Sequence, residues 1–304
     1  ADGCTAVGYD ALQDNTTGDY NTAVGKGSLD HNTTGQENVA VGYHCMDANT
    51  TGSKNVAMGM DAMGKRVSGD RNVAIGNYCA ADGASTGDQN SALGDNAMRE
   101  ITTGSLNVAI GCEAGYTATT AGQCVSVGYQ AGYTNNSSQN TFVGYRAGQA
   151  SNASDVTYIG FDSGLHATGN SNTCVGHRTF DASSCTGSKN TTVGREGLSA
   201  VTTGQENATL GYFAGHDVTT GNYNVIVGAE TGNIITTGSQ NTVVGRNAGQ
   251  ALTTGHYNVY LGYKAGGTGN VDNRLYIARS NTGAGNAATW IHGDESGNVF
   301  QGNN

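Results

Sequence analysis

Long hydrophobic segments, basic clusters and proline are all missing from this 304-residue chain. No segment approaches the roughly 18–20 consecutive apolar residues of a transmembrane helix, so we expect no membrane insertion. The net charge is −10 and no run of Lys or Arg occurs, which disfavours nucleic acid and anionic membrane surfaces as partners. Charged residues make up only 12% of the chain, which argues against a disordered chain held open by its own charge.

Motifs for catalysis and ligand binding are also missing. The sequence contains no Cys-x-x-Cys zinc spacing, P-loop, Gly-x-Ser-x-Gly elbow or His-Glu-x-x-His pair. Residues 266–271 resemble one calcium-binding Gly-Gly-x-Gly-x-Asp repeat, but Val271 replaces the required Asp and the match occurs once. The acid pair Asp294 and Glu295 lies in a glycine-rich loop, where we expect solvation. We therefore predict no enzyme activity, no cofactor and no metal site.

Cysteine is present but scattered, with seven residues along the chain. We predict that most of them are small buried fillers. Disulfides between Cys112 and Cys124, or between Cys174 and Cys185, remain alternatives that the sequence does not decide.

Glycine is abundant, at 49 residues, and sixteen glycines recur at an almost fixed interval. From Gly8 to Gly262, fifteen steps cover 254 residues, and every step is 16, 17 or 18 residues long. A period this short predicts stacked coils of one structural unit. Glycine at this density is costly in helices and useful in turns, so the coils are predicted to be β-structure. The anchor glycines are Gly8, Gly25, Gly42, Gly59, Gly76, Gly94, Gly111, Gly128, Gly144, Gly160, Gly176, Gly194, Gly211, Gly228, Gly245 and Gly262.

Each anchor glycine closes a short strand motif, as in Asn38-Val39-Ala40-Val41-Gly42. The residue before the anchor is apolar in all sixteen coils, and the residue two positions earlier is Val, Thr, Ser or Ala. Residues two apart on a strand share a face, so these two columns are predicted to line the interior. The residue between them, Ala in the first seven coils, is predicted to point outward. We expect a parallel β-solenoid or β-roll of about 16 coils, spaced roughly 4.8 Å apart and on the order of 75 Å long.

Asparagine stands four residues before the anchor glycine in thirteen of the sixteen coils. Stacked side-chain amides could form a hydrogen-bonded ladder along the axis. Alternatively, asparagine suits this turn through hydrogen bonds to its own backbone. Both interpretations are structural. The predicted ladder includes Asn21, Asn38, Asn55, Asn72, Asn107 and Asn241.

Tyr or Phe follows the anchor glycine in seven coils. Exposed tyrosine rows can stack on sugars or join an interface, whereas the alternative is that they only cover the corner of the solenoid. The candidate surface or glycan contacts are Tyr43, Tyr129, Tyr145, Tyr212 and Tyr263. Three glycosylation sequons, at Asn15, Asn32 and Asn49, share one loop column, and glycans there would coat one edge.

Self-association is expected because each coil buries little apolar surface. Two buried aliphatic side chains are too few to offset the entropy of ordering about 17 residues. Further burial should come from identical chains, and a column of small alanines on the outward face would let backbones approach closely. We therefore predict a parallel homo-oligomer, with threefold symmetry preferred.

The unit Asn-x-Ala-Val-Gly-Tyr-x-Ala-Gly followed by Thr-Thr-Gly is clearest at residues 107–115 and 241–249. It resembles the repeats of phage tail fibres, especially those of marine and cyanobacterial phages. The Val-Ala-Ile-Gly segments at 73–76 and 108–111 are also similar to the head repeats of trimeric autotransporter adhesins. That second resemblance implies a left-handed, homotrimeric parallel β-roll. The resemblance covers about residues 4–266.

The last 35 residues break the period. Residues 273–277, 290–294 and 298–300 look like the segment before the chaperone domain of many phage fibres. The resemblance implies a repeat shaft over residues 1–269 and a C-terminal cap or collar over 270–304. A missing or cleaved chaperone domain would follow the cap, and any N-terminal anchor would lie before residue 1.

We therefore expect a structural and adhesive extracellular fibre, such as a phage tail fibre shaft or receptor-binding protein. It would act as a rigid multivalent spacer, with itself and a host-surface glycan or protein receptor as candidate partners. The alternative is a bacterial surface adhesin or a self-assembling extracellular filament subunit. An ice-binding solenoid is disfavoured because Thr5, Thr22 and Thr141 would lie in an inward column. A carbohydrate-cleaving fibre enzyme is disfavoured because no acid pair has a fixed setting.

Overall fold

A computed structural model describes residues 1–83, 85–266, 269–278, 289–293 and 299–301. Every regular element in these ranges is a β-strand, and the predicted parallel β-solenoid with about sixteen turns is confirmed. The chain forms two compact units, Ala1–Ser154 and Asp155–Asn304.

The first unit contains nine three-residue strands, one in each coil. Each strand pairs parallel and in register with the next, so Val39, Ala40 and Val41 lie opposite Val56, Ala57 and Met58. Residues of one column therefore stay aligned from coil to coil. The strands are β1 Thr5–Val7, β2 Thr22–Val24, β3 Val39–Val41, β4 Val56–Met58, β5 Val73–Ile75, β6 Ser91–Leu93, β7 Val108–Ile110, β8 Val125–Val127 and β9 Thr141–Val143.

The second unit continues the same pattern and then changes strand direction. Seven strands belong to coils: β10 Thr157–Ile159, β11 Thr173–Val175, β12 Thr191–Val193, β13 Ala208–Leu210, β14 Val225–Val227, β15 Thr242–Val244 and β16 Val259–Leu261. Three further strands follow, β17 Leu275–Ala278, β18 Thr289–Gly293 and β19 Val299–Gln301. The β17 strand pairs parallel with β16, whereas β18 and β19 pair antiparallel.

These last strands fall within the predicted cap. Its boundary at residue 270 stays a prediction. Some residues of the motifs considered above lie outside the described residues, namely Gly267, Asp294, Glu295 and Asn298.

The predicted orientation of the strands is wrong. The middle residue of every strand from β2 to β16 is buried, as at Ala40 and Ala57, whereas Met58 and Leu93 are 46% and 47% exposed. In β1 the middle residue, Ala6, is exposed. The alternation of side chains determines which residues share a face but not which face lies inside. The larger aliphatic residues that we expected inside the coil therefore lie on its outer face.

The interior is filled by two columns whose sizes compensate for each other. In the first coils, the strand contributes Ala23, Ala40 and Ala57, and the turn six residues later contributes the buried Leu29, Met46 and Met63. Further along, the sizes are exchanged, and a large strand residue faces a turn glycine.

The clearest exchange is at Phe142. A Cβ atom added to Gly148 would lie 2.2 Å from the Phe142 ring, and one added to Gly164 would lie 2.3 Å from the Tyr158 ring. A bulky strand residue thus requires a glycine in the turn, and most alanine strands are complemented by Leu or Met. The exceptions are Ala74 and Ala109, which are followed six residues later by Ala80 and Gly115.

The anchor glycines mark the places where successive backbones approach most closely. Gly42 has φ of +147°, and a Cβ atom there would lie 2.3 Å from the carbonyl oxygen of Gly59 in the next coil. Both the backbone conformation and the contact exclude a side chain. The recurrence of glycine at this column follows from the stacking itself.

The asparagine column before the strands links each coil to its neighbours. The Asn55 Nδ2 donates to Asn38 Oδ1 at 3.2 Å, and the same oxygen accepts the Asn55 backbone N–H at 3.0 Å. Within its own coil, Asn38 Nδ2 donates to the Gly52 carbonyl oxygen at 2.8 Å. The predicted ladder is therefore present. The bond from Asn38 to Gly52 spans 14 residues and is not the local turn hydrogen bond of the alternative. The remaining predicted members are also buried: Asn21, Asn72, Asn107 and Asn241.

A second, shorter asparagine ladder contains three of the sequons. The Asn32 Nδ2 donates to Asn15 Oδ1 at 2.8 Å, and Asn49 Nδ2 donates to Asn32 Oδ1 at 2.9 Å. Asn32 and Asn49 are fully buried. The expectation that glycans on this column coat one edge is therefore wrong. The amide nitrogens that would carry the glycans donate hydrogen bonds inside the coil.

Arg66 interrupts this second ladder, since it occupies the position that follows Asn49. It is fully buried, and its Nη2 donates to the Gly87 carbonyl oxygen. Two further nitrogens of Arg66, Nε and Nη1, have no hydrogen-bond partner among the described residues. The same is true of Asn49 Oδ1. Burial lowers the pKa of Arg66 to about 10.

All seven cysteines are free thiols, so neither of the two alternative disulfides is formed. The prediction of buried fillers is confirmed for Cys45, Cys79, Cys124, Cys174 and Cys185, whereas Cys112 is exposed. Burial raises the pKa of Cys45 and of Cys79 to about 12, which makes both thiols unreactive near neutral pH.

The compensation between strand and turn residues can be tested with a double-mutant cycle. Phe142→Ala should lower the free energy of unfolding by about 3–5 kcal/mol, because it leaves a cavity. Gly148→Leu alone should also destabilise, because the new side chain meets the ring. The double variant should recover at least about 2 kcal/mol, since Leu29 occupies the equivalent turn position beside Ala23. Urea unfolding followed by circular dichroism measures these values, and simple additivity would contradict the compensation.

Arg66→Asn should stabilise the chain by roughly 1–3 kcal/mol. The change removes a buried guanidinium with unpaired nitrogens and provides an amide donor for Asn49 Oδ1. Arg66→Leu is the matched control, because it removes the charge without restoring the ladder, and it should gain less. Thermal unfolding of the three proteins provides the comparison, and a lower midpoint for Arg66→Asn would count against this account.

Candidate interaction surface

The outer face of the first unit carries an unbroken column of aliphatic side chains. These are the residues immediately before the anchor glycines, and each is exposed or half-buried. We call them, with their counterparts in the second unit, the aliphatic column. In the first unit it consists of Val7, Val24, Val41, Met58, Ile75, Leu93, Ile110, Val127 and Val143.

The aliphatic column of the second unit has the same character. It consists of Ile159, Val175, Val193, Leu210, Val227, Val244 and Leu261, and its most exposed member is Leu210. The other outward position of each strand differs between the units. It is mostly Val in the first, and in the second it includes Thr157, Thr173, Thr191 and Thr242, which we call the threonine column.

Two outward columns on nine coils cover an area on the order of 300 Å² in the first unit, from the strand and coil spacings. A patch of this size is comparable to the largest apolar patch on a typical monomer, and such patches are often functional. No charged residue belongs to either outward column. Association at this face would therefore depend on removing apolar surface from water, with little contribution from ion pairs.

The five candidate tyrosines lie at the corner just after the anchor glycines. Tyr43, Tyr129, Tyr145, Tyr212 and Tyr263 are each between 40% and 49% exposed. Tyr129 and Tyr145 stack across successive coils, with ring centroids 5.3 Å apart and planes inclined by 20°. We call these five residues the aromatic column. Stacked, half-exposed rings offer flat apolar faces of the kind that receive sugar rings.

Cationic side chains accompany several of these rings. The Lys26 Nζ lies 5.9 Å from the Tyr43 ring centroid, and Lys264 Nζ lies 5.5 Å from that of Tyr263. The Arg195 guanidinium lies 5.8 Å from the Tyr212 ring. The aromatic column is therefore a mixed apolar and cationic edge, in contrast to the uncharged aliphatic column.

The first unit also has a shallow hollow of about 390 Å³, lined by Asp47, Asp61, Lys65, Tyr78, Asp82 and Arg99, among others. Asp82 is paired with Lys65 at 3.2 Å and with Arg99. This hollow thus carries an ion-pair network. Two other acids that line it, Asp47 and Asp61, belong to coils other than that of Asp82.

The structure separates the predicted residues by role. The anchor glycines and the asparagine ladder lie within the coil and hold successive turns together, whereas the tyrosines lie on the surface. The aliphatic column was missed because it was assigned to the interior. The missing signal was the Leu or Met that stands six residues after most of the alanines, because its side chain already fills the interior of the coil.

Comparison with protein families, with curated proteins and with solved structures finds no match to this chain. Within the part of the chain that the structure describes, no helical segment has the length and hydrophobicity needed to span a bilayer.

Proposed function

We propose that this chain is a structural and adhesive extracellular fibre segment, of the kind that forms the shaft of phage tail fibres. It acts as a rigid, multivalent spacer that associates with copies of itself and touches a host surface. The observation that supports this proposal best is the aliphatic column, which repeats at every coil and leaves its side chains outside the solenoid.

The expected homotrimer now has a different physical basis. Six of the seven alanines that we expected at the subunit contact, all except Ala6, are buried inside their coils, whereas Val, Ile, Leu and Met form the outer face. A second copy in parallel orientation carries the same column at the same spacing, so the two could match coil by coil. Covering this face would supply the apolar burial that a single thin coil lacks. Threefold symmetry follows from the resemblance to trimeric fibres and adhesins.

The aromatic column supports the adhesive part of the proposal. Its rings recur along the solenoid, and three copies would multiply each weak contact with a surface glycan or protein receptor. The same surfaces also suit the alternative proposal, a bacterial surface adhesin or a self-assembling extracellular filament subunit. A fibre segment forms a closed oligomer of fixed mass, whereas a filament subunit grows with concentration.

Light scattering on the purified chain tests the association. We expect a mass three times that of the monomer. The double variant Leu93→Glu with Ile110→Glu should be a folded monomer, because it places charge in the aliphatic column. Thr103→Glu, at an exposed loop position, is the control and should remain a trimer. A monodisperse, folded wild-type monomer would refute the proposal, and circular dichroism verifies the fold of each variant.

An ice-binding role is a second candidate, favoured by the threonine column. This role was disfavoured because threonine was expected inside, but Thr173 and Thr191 are exposed and lie in register with each other and with Thr157. A flat array of outward hydroxyl and methyl groups can order water. The array is interrupted by Ala208 and Val225, so we place this role second.

Thermal hysteresis measures this role directly. The candidate requires measurable hysteresis in the wild type and its loss in Thr173→Lys, which puts a long charged chain in the middle of the array. A wild-type value of zero removes the candidate.

A further inference from the structure

Two aspartates and two histidines meet where two successive coils of the first unit stack. Asp30 and Asp47 occupy the same position, five residues after their anchor glycines. His31 follows Asp30, and His44 belongs to the coil of Asp47. Residues 13–17 positions apart in the sequence are thus brought side by side by the period of the solenoid.

The geometry is that of a converging set of donors. The ligand atoms of Asp30, His31 and Asp47 all lie within 4.8 Å of one another. The Asp47 carboxylate lies between the two imidazoles, with Oδ1 at 3.1 Å from His31 Nδ1 and Oδ2 at 3.0 Å from His44 Nδ1.

Asp30, whose side chain is half-buried, provides a second observation that points to a cation. Its Oδ1 is inaccessible to solvent and has no hydrogen-bond partner among the described residues. Asp10 and Asp14 add further negative charge within electrostatic reach of Asp30. A buried carboxylate oxygen in an acidic environment is costly unless a cation or a donor satisfies it.

We propose that Asp30, His31 and Asp47 bind one divalent transition-metal ion of the Zn²⁺ class, while His44 orients the Asp47 carboxylate. This proposal departs from the sequence-based expectation that the chain has no metal site. Zinc binds imidazole nitrogen and carboxylate oxygen at about 2.0–2.2 Å in tetrahedral geometry, which places neighbouring donors about 3.3 Å apart. The separation of 3.1 Å between His31 Nδ1 and Asp47 Oδ1 is close to that value. This pair is hydrogen-bonded, and His31 Nδ1 also lies 3.2 Å from the Asp47 carbonyl oxygen, so the ion would replace these contacts.

The donor set also selects the class of ion. Ca²⁺ takes six to eight oxygen ligands, and Mg²⁺ retains several waters in an octahedral shell. An imidazole with two carboxylates suits zinc or a neighbouring first-row ion better. Asp30 and His31 belong to one coil, and Asp47 and His44 belong to the next. The ion would therefore cross-link two successive coils.

The second unit provides a matched control, in which one imidazole again lies beside two carboxylates. His216 Nδ1 lies 2.5 Å from Asp217 Oδ1, and its Nε2 lies 3.9 Å from Glu196 Oε2. The two carboxylates therefore face opposite nitrogens of one ring. They cannot converge on a single ion, so this cluster should not bind metal.

Isothermal titration of the chelator-treated full chain with ZnCl₂ tests the proposal. We expect one Zn²⁺ per chain, and at least about a tenfold loss of affinity in both His31→Ala and Asp47→Asn. His216→Ala should bind as the wild type does. Zn²⁺ should also raise the thermal midpoint of the wild type and not that of the two site variants. Circular dichroism verifies that the near-isosteric Asp47→Asn variant is folded.

Three results would overturn the proposal. One is no saturable binding by the wild type, and another is binding that both site variants retain. The third is an affinity for Ca²⁺ equal to that for Zn²⁺, which would assign the cluster to a different class of ion. Co²⁺ in place of Zn²⁺ gives a separate readout, since visible absorption typical of tetrahedral coordination should appear in the wild type and disappear in His31→Ala.

Discussion

Successive coils are joined by backbone hydrogen bonds along the stacking axis, and these bonds need close contact at the anchor glycines. The Gly42 N–H donates to the Val24 carbonyl oxygen at 2.8 Å, and the Gly25 N–H donates to that of Val7 at 2.8 Å. A side chain on Gly42 would collide with the next coil. The fixed register that results aligns every other column, including the asparagine ladders, the aliphatic column and the proposed metal cluster.

The same register explains how so thin an interior can be filled. Each coil shares one small volume between a strand residue and a turn residue, as with Ala40 and Met46 or Phe142 and Gly148. Once that volume is full, the other strand side chains have to face outward. The outer aliphatic face is therefore a consequence of the narrow coil, and it gives the chain the surface on which the proposed association depends.

The repeat, the strand positions and the strand class could be predicted from the sequence, because a glycine every 17 residues or so allows few other folds. The inward face could not be predicted from the strands alone. Val39 and Val41 are larger and more apolar than Ala40, so hydrophobicity favoured the wrong face. The deciding information was the relation between Ala40 and Met46, which only appears when coils are aligned and two columns are compared.

The candidate sites show a similar limit. The tyrosines could be identified as a column, but their exposure depended on the corner geometry. The sequon asparagines Asn32 and Asn49 look like surface positions by motif, although burial uses their amides for the second ladder. His31 and Asp47 are not neighbours in any linear motif, and only the stacking of one coil on the next brings them together.

The in-register stacking also has a consequence for how such a chain could change in length. Because every coil presents the same outward positions, duplication or deletion of one coil within a unit would change the length of its surface by about 4.8 Å. The aliphatic column would gain or lose one side chain at that level. The length of the solenoid and the area of its outer apolar face would then change together in discrete steps.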